Sequence, residues 1–290
     1  MAKVGIIGGS GLGDVLCGQT HGKRVEVDTP FGKPSDSILT AAWDGVEIAV
    51  LNRHGPGHTI PPSMVNYRAN IYALKALGCT HVIASGAVGS LREHIHPKHL
   101  VIPDQVIDKT YRRPPTFFDD LAVHVEFAAP FCAILRRHLL DSAASLKTTV
   151  HDRGTYICME GPAFSTQAES HMHRSWGGDL IGMTAMPEAK LAREAELAYA
   201  LVALPSDFDC WRPAPKDVDK HQLLKEIIGN LMEATANAIE LIKAAVSRFA
   251  QIANTPSPCH TALELAIWTN RSNITAAQKD KYGLLIKKYL

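Results

Sequence analysis

The apolar run Ala198-Tyr199-Ala200-Leu201-Val202-Ala203-Leu204 leads directly into Pro205-Ser206-Asp207-Phe208-Asp209-Cys210-Trp211. A short apolar run that stops at a proline and acidic residues is typical of a buried strand that ends at its carboxyl edge. Open α/β sheets bind their ligands at that edge. Asp207 and Asp209 are two residues apart, so in an extended segment both carboxylates would face the same side. A solvated acidic turn is the alternative interpretation of this stretch taken alone.

A close pair of carboxylates has a definite chemistry. Like charges held near each other raise one pKa, so that one carboxyl group can act as a proton donor. The pair would also suit a ligand with two adjacent hydrogen-bonding positions, such as N6 and N7 of adenine. The stretch therefore predicts a ligand site, provided that other strand ends supply the rest of it.

The composition is that of an ordinary globular protein, with 290 residues, 46% hydrophobic and 20% charged, and a formal net charge of +1. That charge gives no attraction to nucleic acid or to a membrane surface. We expect no membrane association, because no apolar stretch could span a bilayer and the N-terminus leads into a strand-like run rather than a signal peptide. The six cysteines are scattered without a CxxC motif, which indicates reduced thiols in a cytoplasmic protein.

Fourteen histidines raise the question of a metal site. His94, His96 and His99 lie close together in a loop-like stretch, but no cysteine or acidic partner stands at a ligand spacing. We therefore expect surface histidines there, and neither a bound metal nor an organic cofactor.

Strand-like runs alternate with helical patterns along most of the chain. A helical stripe over residues 62–77 ends at Gly78, which is placed as a C-cap. The alternation predicts an α/β fold: a single domain with a mixed central β-sheet flanked by helices. We expect the domain to span residues 1–254, followed by a C-terminal helical extension of unknown role over 255–290. The predicted strands are 4–7, 48–51, 81–84, 100–102, 154–158, 179–183 and 199–204, and the other predicted helices are 131–146, 188–197 and 218–250.

Four strand ends carry glycine, hydroxyl or arginine residues that suit an anion. Gly8-Gly9-Ser10-Gly11 follows the first strand, and glycines there let backbone N–H groups approach an oxyanion. Arg53 offers a bidentate guanidinium for phosphate, while the small-residue run 85–90 and Thr184 end two more strands. A Rossmann fingerprint fails because its third glycine should fall at Asp14, and no Gly-Lys-Ser/Thr completes a Walker loop. If these ends converge, they form a phosphate pocket.

Six motifs occur in the order and spacing of one family. The sequence resembles the trimeric purine nucleoside phosphorylase superfamily, and within it the methylthioadenosine phosphorylases, from about Val4 to about Ile242. The resemblance does not cover the tail beyond Asn254. The motifs are Gly8-Gly9-Ser10-Gly11, Arg53-His54-Gly55, Val65-Asn66-Tyr67-Arg68-Ala69-Asn70, Gly89-Ser90-Leu91-Arg92-Glu93, Glu160-Gly161-Pro162-Ala163-Phe164-Ser165 and Met183-Thr184-Ala185-Met186-Pro187-Glu188.

The resemblance implies phosphorolysis of 5′-methylthioadenosine to adenine and 5-methylthioribose 1-phosphate, a reaction of purine and methionine salvage, with inorganic phosphate as co-substrate. It implies Asp207 as the catalytic acid, and a homotrimer in which His124 enters a neighbouring subunit's site. The implied phosphate site consists of Ser10, Arg53, His54, Gly86, Ala87 and Thr184. The implied base site consists of Asp207, Asp209, Phe164, Ser165 and Ser206. The ribose and the 5′ group would contact Met183, His124, His221, Leu223 and Leu224.

Some positions leave the substrate open. Asp207 and Asp209 favour adenine, because a carboxylate accepts from a 6-amino group and repels a 6-carbonyl. Gly182, however, stands where adenosine-type relatives usually have asparagine, and glycine there is a feature of purine nucleoside or methylthioinosine phosphorylases that act on 6-oxopurines. Gly86 departs from the family in the implied phosphate site instead, where it replaces the usual threonine and so removes one hydroxyl contact.

Two further alternatives concern the 5′ group and the class of protein. His221 lies one residue from the place where nucleoside phosphorylases have a histidine for a 5′-hydroxyl, so a hydroxyl in place of methylthio stays an alternative. A redox enzyme or a non-catalytic nucleotide-binding protein is the alternative from another class. The broken dinucleotide fingerprint counts against the redox enzyme.

Overall fold

In the computed structural model, which describes residues 3–9, 11–213 and 219–290, one mixed sheet forms the centre of the molecule and helices cover it. Ser10, in the first predicted anion loop, lies outside the described residues. The strands are β1 (Lys3–Gly8), β2 (Lys23–Val25), β3 (Ile38–Trp43), β4 (Val46–Asn52), β5 (Cys79–Ser90), β6 (Leu100–Val101), β7 (Gln105–Asp108), β8 (Val150–His151), β9 (Thr155–Cys158), β10 (Leu180–Gly182) and β11 (Ala198–Phe208). The helices are α1 (Leu12–Gln19), α2 (Tyr67–Ala76), α3 (Ala133–Ser142), α4 (Gln167–Ser175), α5 (Ala185–Glu194), α6 (Lys220–Ser247) and α7 (Ala276–Ile286).

Strand order confirms the predicted mixed sheet. The main path runs β2-β3-β4-β1-β5-β10-β9-β7, and β11, β6 and β8 branch from β5. Strands β4, β1, β5 and β11 are parallel to their neighbours in this central part, so their carboxyl ends lie at one edge. Side chains alternate between two apolar clusters on the two faces, as the neighbours Ile6 and Ile7 show.

Strand β5 has a gap on one of its sides. β11 pairs with β5 along one side from residue 81 to residue 90. On the other side, β1 pairs with β5 as far as Ala84, and β10 pairs with it at Gly89 and Ser90. Within the described part of the chain, residues 85–88 thus have no strand neighbour on that side. This gap is where the predicted anion-binding strand ends meet.

Several element boundaries differ from the prediction. Strand β5 runs from Cys79 to Ser90 rather than from 81 to 84, so the predicted anion-binding run 85–90 lies within the strand and not after it. Helix α2 begins at Tyr67 rather than at residue 62, because Asn66 caps it by accepting a hydrogen bond from the backbone N–H of Ala69 (3.2 Å). Strand β11 continues to Phe208 rather than ending at residue 204, since a register shift between Pro205 and Asp207 keeps it paired with β5. Asp207 therefore lies within the last residues of the strand, not after it.

The C-terminal segment 255–290 packs on the domain. Leu263, Tyr282 and Ile286 are fully buried in the same apolar cluster as Phe117, and the Tyr282 hydroxyl donates to Asp120 (2.6 Å). The segment therefore contributes to the core, although the division at residue 254 stays a prediction. None of the described helices combines the length and apolar character needed to cross a bilayer.

Candidate active site

The predicted anion-binding strand ends converge at the gap beside β5. Arg53, just after β4, donates through Nη1 to the carbonyl of Ser85 (2.8 Å), and the N–H of Gly9 donates to Ser85 Oγ (3.2 Å). A Cβ on Gly9 would lie only 2.9 Å from Arg53 Nη1 and 3.1 Å from Gly86 Cα. A Cβ on Gly86 would lie 3.2 Å from Thr184 Oγ1. Glycine at both positions thus keeps a space that four chain segments border.

The guanidinium of Arg53 binds a carboxylate with the bidentate face that was predicted to bind phosphate. Its Nε and Nη2 donate to the two carboxylate oxygens of Glu188 (2.7 and 2.9 Å), and both side chains are fully buried. Burial disfavours the charged guanidinium, but the Glu188 carboxylate outweighs this and raises the pKa of Arg53 above its ordinary value. Since the bidentate face is occupied by Glu188, only the remaining Nη hydrogens can reach an anion.

His54 is neutral at physiological pH. Its Nδ1 lies 2.8 Å from the carbonyl oxygen of Ile60, and because a carbonyl only accepts, Nδ1 carries the hydrogen. Burial, together with the charge of Arg53, lowers the pKa of His54 to about 4. The free Nε2 is then an acceptor. His54 could bind the protonated oxygen of hydrogen phosphate, but it adds no positive charge.

The hydroxyl of Thr184 lies at the same place. Thr184 is the N-cap residue of α5, yet its side chain makes no capping hydrogen bond. The residue is buried, with Oγ1 over Gly86, and the half-buried Ala87 follows Gly86 on β5. A hydroxyl in this position can donate to an anion in the gap.

Asp207 lies farther along the same strand pair. It is opposite Gly89 of β5, three residues from Gly86, which corresponds to roughly 10 Å along a strand. Burial raises the pKa of Asp207 to about 6; the hydrogen bond from Ser206 Oγ (2.8 Å) opposes this rise, and the charge of Asp209 adds to it. Asp207 can therefore carry a proton near neutral pH.

The other predicted base-site residues divide into two groups. Asp209 is buried and accepts a hydrogen bond from Ser170 Oγ of α4. Ser165 lies nearby, since its carbonyl accepts from Sγ of Cys210 (3.3 Å). The Phe164 ring, in contrast, is 84% exposed, so its predicted contact with a base is not formed by the chain alone.

The residues predicted to contact the ribose and the 5′ group lie on separate segments of the chain. Met183 is half-buried and packs on Gly161, where a Cβ would lie 2.6 Å from its Sδ. His221 and Leu224 are exposed and Leu223 is half-buried on the first turns of α6. They follow residues 214–218, which lie outside the described ranges. A 5′ pocket made by these three residues stays a prediction.

His124 contacts the C-terminal segment of its own chain. Its backbone N–H donates to the carbonyl of Ala266 (2.9 Å), and its exposed ring meets Trp268 edge-on, with ring centres 5.0 Å apart. Trp268 itself is 72% exposed. The C-terminal segment thus holds the His124 loop in place at the surface.

A family model described as the phosphorylase superfamily matches residues 3–247. The chain belongs to the phosphorylase superfamily. It is 47% identical to S-methyl-5′-thioadenosine phosphorylase of Geobacter sulfurreducens over 289 residues, 99% of each chain. The relative of the same name from Thermosynechococcus vestitus is 47% identical over 294 residues, covering 100% of this chain and 99% of the relative.

Solved structures agree with this placement. A crystal structure of a methylthioadenosine phosphorylase from an antarctic soil metagenomic library aligns with a TM-score of 0.87 at 46% identity, covering 98% of both chains. Methylthioadenosine phosphorylase from Schistosoma mansoni in complex with tubercidin aligns with a TM-score of 0.80 at 37% identity, covering 87% of this chain and 92% of that one. These likenesses confirm the family predicted from the sequence motifs, and they include the tail that the motifs did not cover.

In this member of the superfamily, two buried partners were not predicted from sequence. Glu188, which binds Arg53, is the last residue of the Met183–Glu188 motif and could have been suspected as an acid in an otherwise apolar helix start. Ser170, which binds Asp209, carries no comparable signal. Among residues 3–9, 11–213 and 219–290, no group of three His, Cys, Asp or Glu side chains is arranged to hold a metal ion.

Proposed function

We propose that this protein catalyses the phosphorolysis of 5′-methylthioadenosine to adenine and 5-methylthioribose 1-phosphate. The observation that carries the proposal is the spacing along β5: Gly86 borders the predicted phosphate space, and Asp207, a carboxyl group with a raised pKa, is opposite Gly89. A ribosyl group would lie between the two. The named activity of relatives that are 47% identical over the whole chain supports the substrate.

In the proposed reaction, a phosphate oxygen attacks C1′ while the C1′–N9 bond breaks. Thr184, the free Nη hydrogens of Arg53 and Nε2 of His54 would hold the phosphate. Asp207 would give its proton to N7, so that adenine leaves as a neutral molecule, and general acid help of this kind contributes ~10²–10⁴ in rate. The negative phosphate would also stabilise the cationic character that develops on the sugar.

Adenine is favoured over a 6-oxopurine for two reasons. The carboxylates of Asp207 and Asp209 would accept from a 6-amino group and repel a 6-carbonyl. Gly182, which in sequence favoured the 6-oxopurine branch, has a packing reason of its own, because a Cβ there would lie 2.0 Å from Tyr156 Oη. Glycine at this position is therefore required whichever base is bound.

We also propose the assembly and setting of the enzyme. A homotrimer in which His124 completes a neighbouring site would use the exposed His124 and Trp268 rings, which one chain leaves uncovered. Inorganic phosphate would be the co-substrate, with neither metal nor organic cofactor required by the mechanism. The scattered thiols of all six cysteines, which are free, suit a reducing cytoplasm.

The test is adenine release from 5′-methylthioadenosine by the purified full chain, with and without inorganic phosphate. We expect release only with phosphate, together with stoichiometric 5-methylthioribose 1-phosphate. Equal release without phosphate would indicate a hydrolase and exclude the proposal. Methylthioinosine and adenosine are assayed in parallel, and faster turnover of either would favour the 6-oxopurine or the 5′-hydroxyl alternative.

A further inference from the structure

Tyr156 and Gly182 form a matched pair beneath the predicted phosphate site. The two residues lie on the neighbouring parallel strands β9 and β10, and the Tyr156 ring is fully buried. A Cβ on Gly182 would lie 2.0 Å from Oη of Tyr156, 2.7 Å from its Cζ and 3.1 Å from Cγ1 of Val88. Because only a glycine at position 182 leaves room for the phenol, Tyr156 accounts for the presence of Gly182.

The Tyr156 hydroxyl contacts Thr184. The backbone N–H of Thr184 donates to Oη of Tyr156 (3.4 Å), two residues beyond the glycine that accommodates the ring. On its other side, Thr184 places Oγ1 over Gly86, where a Cβ would lie 3.2 Å away. Gly86 and Gly182 both replace larger residues of the family pattern. Gly182 lies against the Tyr156 hydroxyl and Gly86 against Thr184, and these two groups are in contact with each other.

The hydroxyl suits this role chemically. Burial raises the pKa of Tyr156 above its ordinary value, so the phenol stays neutral. It can then accept from the Thr184 N–H without placing a second negative charge beside a bound phosphate. An isolated helix start would leave that N–H without a fixed direction.

We propose that Tyr156 is a positioning residue for phosphate, which fixes the backbone of Thr184 and thereby directs its hydroxyl into the gap beside β5. This inference rests on the proposed function, since it assigns Thr184 to the phosphate co-substrate. Gly182 is part of the same device because it makes room for the phenol. Tyr156 is fully buried and touches no substrate itself.

The first experiment replaces the hydroxyl alone. In Tyr156→Phe, we expect the KM for phosphate to rise about 2- to 10-fold, the value of one neutral hydrogen bond. The KM for 5′-methylthioadenosine and kcat at saturating phosphate should stay within about 2-fold of wild type. Tyr282→Phe is the matched control, because it also removes a buried phenol hydroxyl, one that donates to Asp120 in the C-terminal segment's contact with the domain. A phosphate KM that is the same in both variants and in wild type overturns the inference.

A double-mutant cycle tests the route through Thr184. Thr184→Ala should itself raise the phosphate KM, and adding Tyr156→Phe to it should change that KM by less than about 2-fold, because the two residues act as one unit. Additive effects, or an unchanged phosphate KM in Thr184→Ala, would contradict the route.

A size exchange tests the pairing of Tyr156 with Gly182. Gly182→Ala should lower the melting temperature sharply, and Tyr156→Val combined with Gly182→Ala should recover it while the phosphate KM stays high. No recovery in the double variant would show that the phenol is not what the glycine accommodates.

Failure of the inference and failure of the proposed function give different results. If wild type releases adenine equally well without phosphate, the proposed function falls and the inference falls with it. If wild type requires phosphate and Tyr156→Phe leaves the phosphate KM unchanged, only the inference falls. A second readout does not depend on turnover: inorganic phosphate should raise the melting temperature of Tyr156→Phe less than that of wild type or Tyr282→Phe.

Discussion

Replacing Asp207 by asparagine separates the catalytic role of this residue from its cost to the fold. The asparagine side chain would keep the size of the original and an oxygen that accepts from Ser206 Oγ, which lies 2.8 Å from Oδ1 of Asp207. It would lose the negative charge and the proton that N7 requires. We therefore expect Asp207→Asn to be a much slower enzyme in a more stable protein.

The loss of rate and the gain in stability both follow from the ionisable carboxyl group of Asp207. Loss of general acid catalysis should lower kcat by ~10²–10⁴, which corresponds to about 3–5 kcal/mol. The pKa of Asp207 rises from the ordinary 3.8 to about 6 on folding. A difference of about two units at 1.36 kcal/mol each gives about 3 kcal/mol as the upper limit of the folding cost of the charge.

The pH dependence of this folding cost follows from the linkage between proton binding and folding. Because the folded-state pKa is raised, Asp207 imposes no folding cost below pH 3.8, where the carboxyl is neutral in both states, and its cost is complete once the pH has risen through about 6. Asp207→Asn should thus gain about 1–3 kcal/mol in free energy of unfolding at pH 8. The gain should shrink toward zero as the pH falls to about 4.

The assays are adenine release between pH 5 and pH 9 and urea unfolding at pH 8 and pH 5. The wild-type rate should fall as the pH rises above about 6, because the proton donor ionises, and Asp207→Asn should lack this decline. Asp141→Asn is the matched control, since the Asp141 carboxylate makes an exposed i,i+4 pair with Arg137 and its side chain is 45% exposed. Its stability should change by less than about 1 kcal/mol. Wild-type turnover in Asp207→Asn, or no gain in its stability at pH 8, would refute the assignment of a buried acid.

Three other results are expected. Asp209→Asn should lower the preference for methylthioadenosine over methylthioinosine about 10-fold or more, and an unchanged kcat/KM ratio would remove Asp209 from the base site. Glu188→Gln should leave the buried guanidinium of Arg53 without a counter-charge and lower the free energy of unfolding by about 3–5 kcal/mol in urea titrations; wild-type stability would contradict a structural pair. His124→Ala mixed with Asp207→Asn should regain activity through hybrid trimers with complete sites, and no recovery after proven subunit exchange would exclude shared sites.

The central strands could be predicted because buried strands have an apolar local sequence. β1, β5 and β11 are covered on both faces, so each has a continuous apolar run bounded by glycine, proline or polar residues. Strands β2 and β3 were not predicted; they pair antiparallel away from the central strands, and β3 is buried only at Ile38 and Leu39. β3 and β4 form a hairpin around Asp44 and Gly45, and this Asp-Gly turn is a local signal that the prediction did not use.

The sequence predicted which segments lie close together at the candidate site, but not all of their contacts. Gly9, Arg53 and Thr184 each come directly or shortly after a strand, whereas Gly86 lies within β5, beyond the predicted end of that strand at residue 84. The partners of these residues were not found, since Glu188 is 135 positions from Arg53 along the chain. Such a contact depends on which face of a helix meets the sheet, and periodicity alone does not determine that.

The gap in the sheet gives a physical reason for placing an anion between these segments. Backbone N–H groups in a buried strand need partners, and β5 loses its neighbour on one side between Ala84 and Gly89. Arg53 Nη1 occupies the carbonyl of Ser85, so the chain satisfies an acceptor there and brings further donors toward the same space. We propose that a bound phosphate would accept from donors that border this gap. Asp207, the proposed proton donor, lies farther along the same strand pair, so strand geometry rather than a loop would fix its distance from the anion.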